Sequence, residues 1–218
     1  MERIARKAVK KNAVAPEPRV IALLLVVCGL SGCGIASRIR GAFEPSAEVA
    51  DQGYSRDDEL RLNHLQVKGT HNSYHRRPRF ALVREHDYEQ APLDVQLGEY
   101  GVRAVELDIH PSSRGYEVYH LPVIDSRSTC ALLIDCLGVL KRWSDSNPGH
   151  HPLFVWIEPK DELGGGDFDM DALDAEILSV WPRERLVTPA LVKGGRESVR
   201  EAIVEVGWPT LGEVRGRA

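Results

Sequence analysis

Gly101-Val102-Arg103-Ala104-Val105-Glu106-Leu107-Asp108-Ile109 is the stretch whose reading decides the fold. It is rich in β-branched residues, it alternates, and a glycine opens it, which together predict a strand. Successive strand side chains face opposite ways, so Glu106 and Asp108 point to the same side. Two carboxylates held together in this way repel each other unless a cation lies between them.

Outward from this strand the chain alternates between strand and helix. Before it, His64 to Lys68 is a short apolar run ending at Gly69-Thr70-His71-Asn72-Ser73. Arg76 to Glu85 reads as a basic loop or helix start, and Pro92 to Gly98 as a helix with Leu93 and Leu97 on one face. After it, the turn-rich Ser112-Ser113-Arg114-Gly115 leads to a second strand, Tyr116 to His120. Cys130 to Trp143 has helical spacing and is broken by Asn147-Pro148-Gly149. Leu153 to Ile157 is a continuous apolar run of the kind buried on both faces. Asp169 to Trp181 reads as helix, Arg185 to Val187 as a short strand, and Glu197 to Val206 as helix.

This alternation predicts the α/β class, with βα units around a parallel sheet, TIM-barrel-like. His71, Asp108 and Glu158 follow strand-like runs, and the C-terminal ends of strands carry the active site in such barrels. About four barrel strands are visible where a full barrel takes about 250 residues. The expectation is therefore the N-terminal half of a barrel, with Arg215 to Ala218 as the lead-in to a further strand.

Three segments are expected. In the first, 1–33, basic residues precede an apolar run from Val20 to Leu30. That run is shorter than the roughly 20 residues of a spanning helix and has the length of a secretory h-region. Leu30-Ser31-Gly32-Cys33 looks like a bacterial lipobox, which makes Cys33 the candidate lipidation site. The protein would then be exported and anchored to the membrane, periplasmic or at the cell surface, with an ordinary secretory signal as the alternative. Residues 34–58 read as a polar tether and 59–218 as the incomplete (β/α) barrel domain.

The formal net charge is -4 and 43% of the residues are hydrophobic, the profile of an ordinary globular domain without the basic field of a nucleic-acid binder. Nothing in the sequence implies an obligate protein partner. Of the four cysteines, Cys130 and Cys136 fall in the domain, six apart. In an exported protein this spacing favours a local disulfide over two buried thiols on a helix.

The chemistry-bearing residues are His71, Asn72, Glu106, Asp108, His120 and Glu158. Four oxygen donors, from Asn72, Glu106, Asp108 and Glu158, suit a hard cation such as Ca²⁺ or Mg²⁺ and leave positions for water and a phosphate oxygen. The acidic side chains would repel a phosphate unless that cation intervened. No His-x-x-x-His spacing points to zinc. Imidazoles titrate near neutral pH, so His71 and His120 can divide the two proton transfers of phosphodiester cleavage. The remaining histidines (His64, His75, His86, His110, His150 and His151) are read as bystanders.

Gly69-Thr70-His71-Asn72-Ser73-Tyr74, Val105-Glu106-Leu107-Asp108, Tyr119-His120 and Trp156-Ile157-Glu158-Pro159-Lys160 resemble the calcium-dependent phosphatidylinositol-specific phospholipase C family of bacteria. Pro92-Leu93-x-x-Gln96-Leu97, Cys130-x5-Cys136 and Asn147-Pro148-Gly149-His150-x-Pro152 add to the likeness. The resemblance implies a distorted TIM barrel, with His71 as general base toward the inositol 2-hydroxyl and His120 as general acid toward the diacylglycerol oxygen. It implies Ca²⁺ as cofactor, with Asn72, Glu106, Asp108 and Glu158 as its ligands, and a phosphoinositide as substrate. Lys160 is a candidate phosphate contact. One alternative is a glycerophosphodiester phosphodiesterase, although that group usually shows Arg after its first histidine, where this chain has Asn72. Another is an inactive, lipid-anchored remnant of such an enzyme.

Overall fold

The computed structural model describes residues 56–161 and 169–218. The expected leader, the Cys33 lipidation site and nearly all of the tether lie outside the described residues. Asp57, at the end of that tether, accepts a hydrogen bond from Arg215 Nη2 at 2.8 Å.

The strand read first from the sequence is β2, Val102–Ser112, and the sheet is built around it. Strand β1, Lys68–Gly69, runs parallel to its start. The hairpin partner β3, Gly115–Val118, runs antiparallel to its end. On the opposite edge β4, Phe154–Pro159, runs parallel, with Glu106 opposite Trp156 and Asp108 opposite Glu158. Gly115 allows the tight β2–β3 reversal because its φ is 104°, a conformation L side chains rarely adopt.

Alternation along β2 separates two environments. Val105, Leu107 and Ile109 are buried against helix α2, Leu133–Ser146, and its neighbours. Helix α1, Leu93–Gly98, adds Leu93 and Leu97 to this core, and α3, Met170–Val180, adds Leu173. Asp169 caps α3 by accepting a hydrogen bond from the Ala172 N–H at 2.8 Å. Trp181 closes the core, its indole N–H donating to the Leu137 carbonyl. Three short helices follow: α4 Pro189–Lys193, α5 Val199–Glu205 and α6 Leu211–Val214.

Several elements differ from the sequence reading. His64 to Lys68 is no strand: Leu62–His64 forms a 3-10 turn, and pairing with β2 begins only at Lys68. The basic Arg76 to Glu85 segment is a loop, and a 3-10 turn over Arg84–His86 ends it. The Leu153 to Ile157 run is not covered on both faces. Val155 and Ile157 pack on the core, while Phe154 and Trp156 are exposed on the other face. They border an open apolar cavity of about 760 Å³ that also reaches Leu62, Trp208, His71 and Glu106.

Arg185 to Val187 is not a strand either, since a 3-10 turn takes Arg183–Arg185. The segment nevertheless bonds to the chain's last residues, Val187 N–H donating to the Ala218 carbonyl and Ala218 N–H to that of Arg185. Leu153 N–H likewise donates to the Arg217 carbonyl, so residues 217–218 bridge the two segments in extended fashion. Among the described residues no helix is long and apolar enough to cross a membrane.

Candidate active site

The face of the sheet opposite the core carries the site. The β2–β4 register puts Asp108 beside Glu158, and two residues back Glu106 shares their face. Ligand oxygens of Glu106, Asp108 and Glu158 lie within 4.8 Å of one another. The loop after β1 closes this cluster from the side. Asn72 turns it with a φ of 46°, a left-handed conformation that asparagine tolerates better than most residues. As a result its N–H donates to Glu106 Oε2 at 2.9 Å, and the next N–H, of Ser73, donates to the Glu106 carbonyl. The Ser73 hydroxyl in turn accepts from the Glu106 N–H. Buried Gln96, on α1, locks the loop by donating to the Ser73 carbonyl and accepting from the Thr70 hydroxyl.

Asp108 tests whether a cation fits. It is fully buried, and no backbone N–H reaches either carboxylate oxygen. A buried carboxylate without such donors is costly unless positive charge lies against it. Lys160 supplies some of that charge, its ammonium lying 3.1 Å from Asp108 and 3.0 Å from Glu158. Burial works against that ammonium, but Glu158 and Asp108 outweigh it and hold the lysine pKa above its ordinary value. One ammonium against three formal carboxylates leaves the cluster negative, and an all-oxygen set of this kind fits a hard divalent cation.

Two tyrosines border the Asn72 amide. The buried Tyr74 hydroxyl donates to Asn72 Oδ1 at 3.1 Å, and Asn72 Nδ2 donates to the Tyr88 hydroxyl at 3.2 Å. Burial and the negative charge of Asp108 push the Tyr74 phenol far up, so it remains a donor. Burial likewise raises Tyr88, with Asp125, Asp108 and Glu106 adding to the effect. With Tyr74 occupying one lone pair of Oδ1, the other is left for a cation.

His71 is largely exposed and sits 3.5 Å from Glu106 Oε2, at the edge of the carboxylate cluster. The second imidazole, His120, is held through Nδ1 by Asp125 Oδ2 at 2.9 Å. The other Asp125 oxygen binds His75 Nε2 at 2.7 Å, and His75 stacks on Tyr88 at 4.1 Å. A continuous set of contacts therefore runs from Asn72 through Tyr88, His75 and Asp125 to His120. With Nδ1 turned to a carboxylate, the Nε2 of His120 is the nitrogen left for a substrate.

The sequence family described as Ca²⁺-dependent phosphoinositide phospholipase C matches this chain over residues 60–115 and 111–218. The chain belongs to this family. Its fold resembles that of the Ca²⁺-dependent phosphatidylinositol-specific phospholipase C of Streptomyces antibioticus, at 22% identity and a TM-score of 0.55 over 69% of this chain and 50% of that one. A calcium-dependent phosphoinositol-specific phospholipase C from a Gram-negative Pseudomonas sp., in its myoinositol complex, gives 20% identity and a TM-score of 0.58 over 72% of this chain and 57% of that one. This chain thus spans about half the length of the solved structures it matches. No curated protein matches it. The expected family and the TIM-barrel-like α/β class are borne out, and the family is a calcium-dependent one.

Within this phospholipase family frame, the structure gathers His71, Asn72, Glu106, Asp108 and Glu158 at one place and puts Lys160 among the carboxylates. Cys130 and Cys136 form the expected disulfide, with Cα atoms 5.2 Å apart. Cys130 is not helical, because α2 begins only at Leu133. Asp125 was not among the residues expected from the sequence, and His75 was read as a bystander. Asp125 sits in a loop without periodicity, and its one signal was its place five residues after His120.

That loop also forms the rim. Leu121 and Asp125 exchange backbone hydrogen bonds, so Val123 and Ile124 are thrust outward at the tip. Val123 is 93% exposed and takes a φ of 67°, unusual for a β-branched residue. Beside it the basic loop exposes Phe80 and Leu82, and Arg127 Nη1 donates to the Arg77 carbonyl between the two.

Proposed function

We propose that this chain cleaves phosphatidylinositol into diacylglycerol and inositol 1,2-cyclic phosphate, using Ca²⁺ and a pair of histidines. The observation that carries this reading is Asp108, a fully buried carboxylate grouped with Glu106 and Glu158 beside His71, with one lysine ammonium against the three. Asn72, Glu106, Asp108 and Glu158 would hold the ion. When bound there, the ion would offset the negative charge of the phosphate and polarise its oxygen.

His71 takes the proton of the inositol 2-hydroxyl, whose oxygen then attacks phosphorus. His120 gives a proton to the diacylglycerol oxygen as the phosphorus–oxygen bond breaks. Asp125, accepting from Nδ1 of His120, orients the ring. Lys160 neutralises part of the carboxylate cluster and is placed to meet a phosphate oxygen.

The rim favours a lipid over a water-soluble diester. Phe80, Leu82, Val123 and Ile124 are exposed beside Arg77, Arg79 and Arg127, a mixture that suits an anionic membrane surface. Anchoring through an acylated Cys33, in an exported protein, would keep the site at such a surface. The test is an assay of the full chain in Ca²⁺ on phosphatidylinositol vesicles and on glycerophosphoinositol. Turnover of the intact lipid is expected; turnover of the deacylated ester alone would reassign the activity to a glycerophosphodiester phosphodiesterase.

A further inference from the structure

We propose that His86, His120 and Asp125 form a second metal site, one that selects a transition-metal dication of the zinc class and withdraws His120 from proton transfer. The withdrawal rests on the role given to His120 above; the metal site does not.

Asp125 is fully buried, and its Oδ2 lies 2.9 Å from His120 Nδ1 and 3.8 Å from His86 Nδ1. One donor atom from each of the three residues falls within a common 4.8 Å. A tetrahedral zinc-class ion with bonds of about 2.0–2.2 Å holds its ligands about 3.3–3.5 Å apart. The two distances to Asp125 straddle that spacing, so small side-chain rotations suffice. The imidazole planes stand at 89° with centroids 5.2 Å apart, which lets both nitrogens address one point without the rings colliding.

Donor chemistry separates this site from the carboxylate cluster. Two imidazoles and one carboxylate suit zinc, copper or nickel, whereas Glu106, Asp108 and Glu158 offer only the hard oxygens that calcium takes. The support behind the ligands is also present. His75 Nε2 holds the second Asp125 oxygen at 2.7 Å and is itself buried against Tyr88, the kind of outer contact that orients a ligating carboxylate. Entry is open on the imidazole side, where the His86 and His120 side chains are 15% and 23% exposed.

The consequence for His120 follows from where its proton sits. The ion takes the Nδ1 lone pair, and the proton that nitrogen carried leaves to solvent. Nε2 then bears the ring's one proton as a neutral, metal-bound imidazole. Giving that proton up would leave an imidazolate, a far worse leaving form than the neutral ring an imidazolium leaves.

The experiment titrates Zn²⁺ into the full chain in excess Ca²⁺ by calorimetry, with Co²⁺ absorption as the geometric probe and imidazole nitrogen NMR of His120 as the ligand assignment. One Zn²⁺ per chain is expected, with His120 shifting to the Nδ1-bound form. His86→Ala and the milder His86→Gln should each weaken Zn²⁺ by about 10–100-fold or more. Asp108→Asn should leave Zn²⁺ binding unchanged. Zn²⁺ should inhibit lipid cleavage by the Ca²⁺-loaded wild type but not by His86→Gln, whose basal turnover is retained. The proposal is overturned by the absence of Zn²⁺ binding, by binding that survives both His86 variants, or by binding lost in Asp108→Asn. A chain that binds Zn²⁺ as described yet cleaves no lipid would keep the metal site and remove the proposed function.

Discussion

Replacing Asp108 by Asn removes one negative charge and almost no volume from the place where the account puts Ca²⁺. Unit charges about 4 Å apart interact by about 4 kcal/mol at an effective dielectric of 20, so a dication loses about 8 kcal/mol of gross attraction. Partial compensation by hydration still leaves a weakening of Ca²⁺ binding by about 100-fold or more. At a Ca²⁺ concentration 100 times its Kd, binding stabilises the native wild type by about 2.7 kcal/mol. For a domain of this size that raises Tm by about 5–11 °C, whereas the same Ca²⁺ with a 100-fold weaker site gives about 0.4 kcal/mol and a shift of about 1 °C. The assay is thermal unfolding of each protein with and without Ca²⁺. Comparing each protein with itself cancels any change Asn makes to the apo fold, including loss of the Lys160 ion pair. An equal Ca²⁺ shift in wild type and Asp108→Asn, or no shift in the wild type, would refute the assignment.

His150 is buried, its Nδ1 donating to the His151 carbonyl and its Nε2 accepting from Ser144, and burial pushes its pKa down. Below about pH 6.5 the unfolded chain takes up a proton that the folded site resists, so stability should fall as pH drops from 7 to 5, and His150→Gln should flatten that slope in pH-dependent denaturant melts. Reducing the Cys130–Cys136 bridge, or replacing both residues by serine, frees a loop of about seven residues and should cost about 2 kcal/mol in urea unfolding. Phe80→Ser combined with Val123→Ser should lower cleavage of phosphatidylinositol in anionic vesicles several-fold while sparing a short-chain monomeric substrate; equal loss on both would place these side chains outside any lipid contact.

The strand β2 was legible because its apolar side chains Val105, Leu107 and Ile109 keep to one face, which writes itself as alternation. The same period put Glu106 and Asp108 together before any coordinates, and the end of the next strand added Glu158. Helices α2 and α3 were legible through their apolar spacing. The β4 run misled because apolar composition does not tell a covered face from an open one, and Phe154 and Trp156 sit on an open one. Helix α4 escaped notice as a single short turn begun by Pro189 and capped by Thr188. Arg185 and Val187 bond through their backbones to the single residue Ala218, so the segment's β-like residues form no extended ladder. Asp125 and His75 were out of reach because their contact joins residues 50 apart through irregular backbone, where neither helical nor strand period applies.

³¹P NMR of phosphatidylinositol vesicles incubated with the full chain reads the proposed cleavage directly. In Ca²⁺ the wild type should yield inositol 1,2-cyclic phosphate, chelation should abolish it, and His71→Ala or His120→Ala should slow it by about 10²–10⁴-fold. Cyclic product formed at undiminished rate by either histidine variant, or in excess chelator, would contradict the division of labour between the imidazole pair and the carboxylate-bound ion.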